Sequence, residues 1–151
     1  MEYTLRPADV QDAAFLRELE AEAMRDHALA LWGRYLPVEY PTLFDLEKTR
    51  IVSVAGVPAG NLTVESGPDH LRLRKLYLVP DVQGRGLGKL LLGVAQREAA
   101  AAGLPLRLSV LRPNRRALAF YLREGLQVTE DTGERLFLMQ PVPAESRKTP
   151  L

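Results

Sequence analysis

The amino-acid sequence predicts an α/β fold in which helices flank one mixed sheet. Segments with strand and helix patterns follow one another in the order β-α-α-β-β-β-α-β-α-β-β. The strand predicted at residues 70–79 shows a slip in its alternation of apolar side chains, and it leads into a glycine-rich turn that opens an apolar helix. Together these observations predict a single domain whose sheet is disturbed beside a ligand-binding loop.

Each element in the first half of the chain has its own signal. Asp9 is a good N-cap, and the apolar residues after it recur at helical spacing. Pro37 and Pro41 interrupt the next piece, and turns at residues 56–58 and 67–69 separate the strands that follow. The predicted elements are a strand at 3–7, a helix containing Ala13, Leu16, Leu19 and Ala23, a helical or irregular piece over about 27–48, and strands at 51–55, 59–65 and 70–79.

Glycines mark the ends of two helices in the second half. Gly103 is expected to end a helix with an apolar face, and Gly125 is expected to stop a helix that begins at Asn114. The predicted elements are that apolar helix, which contains Leu90, Leu91, Val94, Ala95 and Ala99, then a strand at 106–110, a helix at 114–124 and strands at 126–130 and 135–140. We expect residues 1–141 to form the domain and residues 142–151 to be a flexible tail.

The slip in the strand at 70–79 predicts a β-bulge. Apolar residues alternate through Leu71 and Leu73 and then resume at Leu76 and Leu78, so one residue is extra. A bulge would separate this strand from the one at 106–110 and leave backbone groups able to pair with a ligand. The alternative is a central strand buried on both faces, where the phase of the alternation means little.

The turn that follows this strand is typical of a phosphate-binding loop. Three glycines, Gly84, Gly86 and Gly88, lie at the start of a helix, where backbone N–H groups and the helix dipole favour an anion. A Walker loop is excluded because only three residues separate Gly84 from Gly88 and because Leu90 follows Lys89. A dinucleotide fingerprint starting at Gly84 would need glycine where Lys89 stands.

Composition and charge narrow the classes of function. The chain of 151 residues has the size of one domain, contains no cysteine and has two histidines, which makes a metal site unexpected. No apolar run could cross a bilayer, and the N-terminus lacks a secretory leader, so a cytoplasmic protein is expected. Residues 1–71 are rich in acidic side chains, which would suit a cationic acceptor, whereas residues 72–123 are rich in basic ones. The basic residues could attract a phosphorylated ligand and include Arg85, Lys89, Arg112, Arg115 and Arg116.

The pattern Gln-x-x-Gly-x-Gly, met by Gln83, Gly86 and Gly88 after a strand ending in Val79-Pro80, resembles the acyl-CoA pyrophosphate loop of the GCN5-related N-acetyltransferases. The order of elements resembles that family's fold over nearly the whole chain. The resemblance implies a mixed, mostly antiparallel sheet whose splayed central strand pair holds the pantetheine arm of acetyl-CoA. It also implies an N-acetyltransferase that moves an acetyl group to a small-molecule or peptide primary amine in a ternary complex.

A second stretch resembles the family's signature of Asn, Ala, aromatic-Tyr and Gly-Phe. Asn114, Ala117 and Tyr121 lie on one helical face, and Leu126 stands where the family usually has Phe. The resemblance implies that Tyr121 protonates the leaving CoA thiolate and that the backbone N–H of Leu78, at the bulge, binds the oxyanion. The implied cofactor-binding residues are Leu76, Leu78, Gln83, Gly84, Arg85, Gly86, Leu87, Gly88, Lys89, Asn114, Ala117 and Tyr121.

A general base does not stand where the resemblance would place it. Arg72 and Ser109 occupy the two positions at which relatives carry Glu. The segment 24–27, with Trp32-Gly33, resembles an uncharacterised branch of the family, so the acceptor stays open, as does the oligomeric state, with a homodimer among the options. The remaining base candidates are Glu22, Asp26, His27, Glu65, Asp69 and His70.

Two other classes of function stay open. A non-catalytic acyl-CoA sensor would keep the loop and the bulge but have no acceptor site, and the absence of Glu from both expected positions permits it. A nucleic-acid-binding protein is disfavoured, because the basic residues are spread through strands and helices without a basic tail or a stacking surface. Neither a nucleic-acid partner nor a membrane is expected.

Overall fold

The structure, a computed structural model, describes residues 1–36 and 39–143. Seven strands form one sheet in the order β1-β2-β3-β4-β5-β7-β6, and helices pack against both faces. The strands are β1 (Thr4–Pro7), β2 (Thr49–Val54), β3 (Val57–Ser66), β4 (Leu71–Leu78), β5 (Leu106–Leu111), β6 (Gln127–Asp131) and β7 (Arg135–Gln140). The helices are α1 (Ala13–Trp32), α2 (Leu43–Lys48), α3 (Leu87–Ala102) and α4 (Arg115–Arg123). The predicted α/β class and the mostly antiparallel sheet are confirmed.

The centre of the sheet opens where its parallel pair lies. Strands β4 and β5 run parallel and pair only at Leu71 with Leu106 and at Arg72 with Arg107, whereas every other neighbouring pair is antiparallel. The two strands run on beyond these pairs without ladder contacts, so they diverge. The separation of these two strands, predicted from the slip in β4, is confirmed.

The β-bulge lies at Arg74. Thr63 of β3 pairs with Lys75, and the next residue, Val64, pairs with Leu73, which leaves Arg74 as the extra residue. Leu71 and Leu73 are buried in the core against α3, and beyond the bulge Leu76 packs against the same core. The extra residue therefore turns Lys75 to the opposite face, where α1 lies. The predicted bulge is confirmed.

Two apolar layers hold the sheet. On one face, α3 and α4 pack on β4, β5 and β7, through fully buried side chains that include Leu92, Ala95 and Leu106. On the other face, Leu16 of α1 packs with Leu46 of α2 and with Ile51 of β2. Burial of such apolar surface is the main stabilising term of the fold.

The N-terminal helices differ from the prediction. Helix α1 continues unbroken to Trp32 and ends at Gly33, which has a φ of 71°, so the expected break near residue 27 was wrong. Residues 27–32 contain no proline or glycine, and their Ala and Leu side chains favour helix. Asp9 caps a 3-10 turn at Val10–Asp12 that leads into α1. The short α2 begins after Thr42, whose side chain and that of Asp45 form a capping box.

The remaining predicted elements match the structure to within a few residues. Gly103 ends α3 in the left-handed conformation, and Asn114 caps α4. Within residues 1–36 and 39–143, no helix is long and apolar enough to cross a membrane. Residues 144–151 of the expected tail lie outside the described residues, so both the tail and the domain limits stay predictions.

Candidate functional site

The glycine loop connects β4 to α3. After β4, a 3-10 turn at Pro80–Val82 buries Val82, and the chain then passes through Gly84 and Gly86, with φ angles of 75° and 84°. The side-chain amide of Gln83 donates to the carbonyl oxygen of Leu78 at 2.8 Å. This hydrogen bond ties the loop back to the end of the strand and sets its position.

The backbone of this loop presents donors without acceptors. Among the described residues, none of the N–H groups of residues 84–89 donates to a protein acceptor, and the first helical bond runs from Leu90 N to Gly86 O at 3.2 Å. Helix α3 also has no side-chain cap. These N–H groups lie at the positive end of the α3 dipole, which makes the loop a fit for a pyrophosphate.

Glycine is required in the loop by conformation rather than by packing. A Cβ at Gly84 or Gly86 would meet no atom within 4 Å, yet both residues have positive φ, which other side chains rarely adopt. At Gly88 a Cβ would lie 3.8 Å from the Phe120 ring, an ordinary contact. The space over the loop is therefore open, so that a ligand can approach the backbone closely.

The end of β4 directs peptide groups into the gap beside β5. Val79 N donates to Ala59 O of β3 at 2.8 Å. Because alternate residues of an antiparallel pair point to opposite sides, the peptide groups of Leu76 and Leu78 point away from β3. The expectation that Leu78 lies at the bulge was wrong, since the extra residue is Arg74. The peptide group of Leu78 faces the gap because of this alternation and because β5 has diverged from β4.

Helix α4 brings its predicted face to the same gap. The side chain of Asn114 accepts a hydrogen bond from Ala117 N at 3.1 Å, which fixes the start of the helix. Asn114, Ala117 and Tyr121 line one cleft between β4 and β5, with a volume of about 280 Å³. Tyr121 is 8% exposed, and burial raises the pKa of its hydroxyl, which therefore stays protonated near neutral pH.

The cleft also contains an ion pair that was not predicted from the sequence. Glu20 of α1 accepts a hydrogen bond from Lys75 of β4 at 2.7 Å, and the two side chains are only 14% and 15% exposed. The ammonium of Lys75 also lies 4.2 Å from the centre of the Tyr40 ring. Burial and the carboxylate of Glu20 raise the pKa of Tyr77. One sequence signal existed: Glu20 follows Leu16 by four residues, on the apolar face of α1.

The two positions at which a general base was expected line the cleft, but the six alternative candidates for a base do not. Arg72 and Ser109 both line it. The six other candidates, Glu22, Asp26, His27, Glu65, Asp69 and His70, are not among its lining residues. Glu20 is the only carboxylate among the described residues that line the cleft. In the same part of the chain, no group of three or more His, Asp or Glu side chains could hold a metal ion.

Some of the basic residues that could attract a phosphorylated ligand are already paired. Arg112 forms an ion pair with Asp131, and Arg116 donates to the side-chain oxygen of Gln83 at 3.2 Å. Lys89 lies 3.9 Å from a carboxylate oxygen of Glu124 but is 73% exposed, so that contact is weak.

The chain belongs to the GNAT acetyltransferase family, because the family's model matches residues 11–126. PaiA N-acetyltransferase from Thermoplasma acidophilum, solved with coenzyme A, is similar in fold, with a TM-score of 0.78 and 20% identity over 93% of this chain and 99% of that chain. An acetyltransferase from Thermus thermophilus has 26% identity and a TM-score of 0.66, over 94% of this chain and 98% of that chain. Naa50 from Arabidopsis thaliana, in complex with the bisubstrate analogue CoA-Ac-MVNAL, has 16% identity and a TM-score of 0.64 over 92% of this chain and 97% of that chain. Comparison with curated protein sequences gave no match. Membership of this family supports an acyltransferase.

Proposed function

We propose that the protein is an acetyl-CoA-dependent N-acetyltransferase that transfers acetyl directly to a primary amine in a ternary complex. The observation that carries the proposal is the meeting of three features at one gap in the sheet. These are the loop of unpaired N–H groups, the peptide groups of Leu76 and Leu78, and the hydroxyl of Tyr121.

The loop and the gap account for binding. The N–H groups of residues 84–89 would hold the pyrophosphate, and the exposed side chains of Arg85 and Lys89 add positive charge there. The peptide groups of Leu76 and Leu78 would pair with the amides of the pantetheine arm as a neighbouring strand does. Asn114 and Ala117 of α4 line the gap on its other side.

The reaction needs a donor at the leaving sulfur and a dipole at the carbonyl oxygen. Acetyl-CoA supplies the acetyl thioester, and transfer forms a bond from the amine nitrogen to the acetyl carbon while the carbon–sulfur bond breaks. Tyr121 gives its proton to the departing thiolate, and the Leu78 N–H stabilises the negative charge that develops on the oxygen. The amine loses one proton, and Tyr121 regains one through the solvent in the cleft.

The proton of the amine requires an acceptor because a free aliphatic amine is protonated at neutral pH. Glu20 is the carboxylate placed for this, since it lines the same cleft as Tyr121. Its hydrogen bond to Lys75 is accepted by Oε2.

Binding is tested by thermal unfolding with and without acetyl-CoA or CoA. Both ligands should raise the melting temperature of the native protein, because a ligand that binds only the folded state stabilises it. Gly86→Asp should abolish the increase by placing a carboxylate among the phosphate-binding amides. Gly103→Asp is the matched control, since Gly103 also has positive φ and open space but lies at the far end of α3.

Turnover is tested by CoA release with a panel of primary amines. We expect at least one amine to be acetylated by the wild type. An increase in melting temperature that Gly86→Asp retains would contradict the loop assignment. Binding of acetyl-CoA without turnover on any amine would instead favour a non-catalytic acyl-CoA sensor.

A further inference from the structure

The cleft that would receive the acceptor carries an excess of positive charge. Its lining includes Arg72, Arg74, Lys75 and Arg135 against the single carboxylate of Glu20, counted over the described residues. This is opposite to the acidic character of residues 1–71, which would suit a cationic acceptor. The charge that matters for recognition is the one inside the cleft.

Two of these four cations already have carboxylate partners. Lys75 is bound by Glu20 at 2.7 Å. Arg74, the bulge residue, lies 3.6 Å from a carboxylate oxygen of Asp45 and 3.7 Å from one of Glu65. These contacts neutralise Lys75 from within the cleft and Arg74 from outside it, since Asp45 and Glu65 are not lining residues.

The other two cations have no such partner. Within residues 1–36 and 39–143, no carboxylate lies within 4.0 Å of the guanidinium of Arg72 or Arg135. Arg135 of β7 is half-buried and donates to the hydroxyl of Ser109 at 3.5 Å, which holds it toward β5. Ser109 thus orients a cation at the position where the resemblance would have placed a base.

The position of Arg72 also favours an anion. Arg72 lies opposite Arg107 in the short parallel pairing of β4 with β5, where like charges repel each other. Its partner on β3 is Glu65, whose carboxylate lies 3.7 Å from Arg74 and not within 4.0 Å of Arg72. A bound carboxylate would relieve this repulsion. Leu78 lies six positions after Arg72 along β4, about 20 Å at the usual rise of a strand, so the pyrophosphate at the glycine loop is too distant to do so.

We propose that the acceptor is an amino acid or a similarly small amine that also carries a carboxylate, which Arg72 and Arg135 bind. This inference rests on the proposed transferase function, since it concerns the acceptor side of the same cleft. Guanidinium groups suit a carboxylate because they donate two parallel hydrogen bonds. The cleft of about 280 Å³ must also admit the acetyl end of acetyl-CoA, which favours a small acceptor.

The test compares amino acids with their own primary amides, which keep the amine and lose the carboxylate. Binding of each compound to the CoA complex is measured by calorimetry, and turnover with acetyl-CoA by CoA release. At least one amino acid should bind at least about 10-fold more tightly than its amide and be acetylated at a correspondingly lower KM.

Variants assign this preference to the two arginines. Arg72→Gln and Arg135→Gln should each weaken binding of the amino acid by about 10-fold or more. The affinity for its amide and the KM for acetyl-CoA should stay unchanged. Arg97→Gln is the matched control, because it removes the same charge from an exposed position on α3 that lies outside the cleft lining. It should preserve the discrimination between acid and amide.

The outcomes separate this inference from the transferase proposal. The inference is overturned if no amino acid binds more tightly than its amide, or if the arginine variants weaken binding of the amino acid and of its amide equally. Carboxylate-dependent binding without any turnover would support the acceptor assignment and contradict the transferase. Turnover confined to amines without a carboxylate would support the transferase and contradict the acceptor assignment.

Discussion

Removing one partner of the ion pair between Glu20 and Lys75 should destabilise the protein strongly. The paired side chains are 14% and 15% exposed, so water screens the interaction little. Glu20→Gln would leave the ammonium of Lys75 largely desolvated, with only the Tyr40 ring at 4.2 Å and the Tyr77 ring at 5.8 Å as remaining partners. Lys75→Met would keep the apolar stem but leave the carboxylate unpaired.

The magnitude follows from this burial. Breaking a buried pair by removing one partner costs about 3–5 kcal/mol, and the cation–π contacts retained by Lys75 place Glu20→Gln near the lower end, at about 3 kcal/mol. For a domain of this size, that corresponds to a melting temperature lowered by roughly 6–12 °C. The double variant should cost less than the sum of the single ones, with a coupling of about 2 kcal/mol.

Urea unfolding of the four proteins measures this coupling directly. Glu98→Gln is the matched control, because the pair of Glu98 with Arg50 has the same 2.7 Å separation but side chains 41% and 28% exposed. Its loss should cost no more than about 1 kcal/mol. The reasoning is refuted if Glu20→Gln costs no more than Glu98→Gln, or if the two substitutions at the pair are additive.

Three further predictions concern other parts of the molecule. Tyr121→Phe should lower turnover about 10–1000-fold with CoA affinity unchanged, and full activity in steady-state assays would rule out the hydroxyl as proton donor. Gly60→Ala should destabilise the protein by about 1–3 kcal/mol in urea unfolding, because its Cβ would lie 2.3 Å from the Tyr77 carbonyl oxygen. Gly93→Ala is the control and should be neutral or stabilising, because its Cβ would meet only the end of the Arg97 side chain. Hydrogen bonding to Arg6 lowers the pKa of Asp12. The ionised carboxylate therefore stabilises the folded state fully at pH values above its unfolded pKa of about 3.8, and this stabilisation is lost as the pH falls through the lower pKa of the folded state. Asp12→Asn should therefore cost about 2 kcal/mol at pH 7 and progressively less in unfolding experiments below pH 4, and a cost independent of pH would contradict this assignment.

The sequence by itself determined the features that depend on neighbouring residues. The glycine loop was recognisable because positive φ and unpaired N–H groups follow from a few adjacent residues. The bulge was recognisable because a slip in a two-residue period shows within one strand. The face of α4 that carries Tyr121 follows from helical spacing alone.

Tertiary structure decided which distant residues share the cleft. Glu20 and Lys75 are separated by 55 positions, and they meet only because the bulge at Arg74 turns Lys75 toward α1. Gly60 is necessary because β3 approaches Tyr77 closely, a contact that no local pattern encodes.

The net charge of the acceptor cleft could not be predicted from the sequence, because it also depends on which distant residues meet. The acidic excess of residues 1–71 is a sum over many side chains, most of which do not line the cleft. The sheet order places β4, β5 and β7 side by side, which brings Arg72, Ser109 and Arg135 to one opening. Local periodicity can give the strands and their faces, but only the packing of distant strands selects which charges face one another.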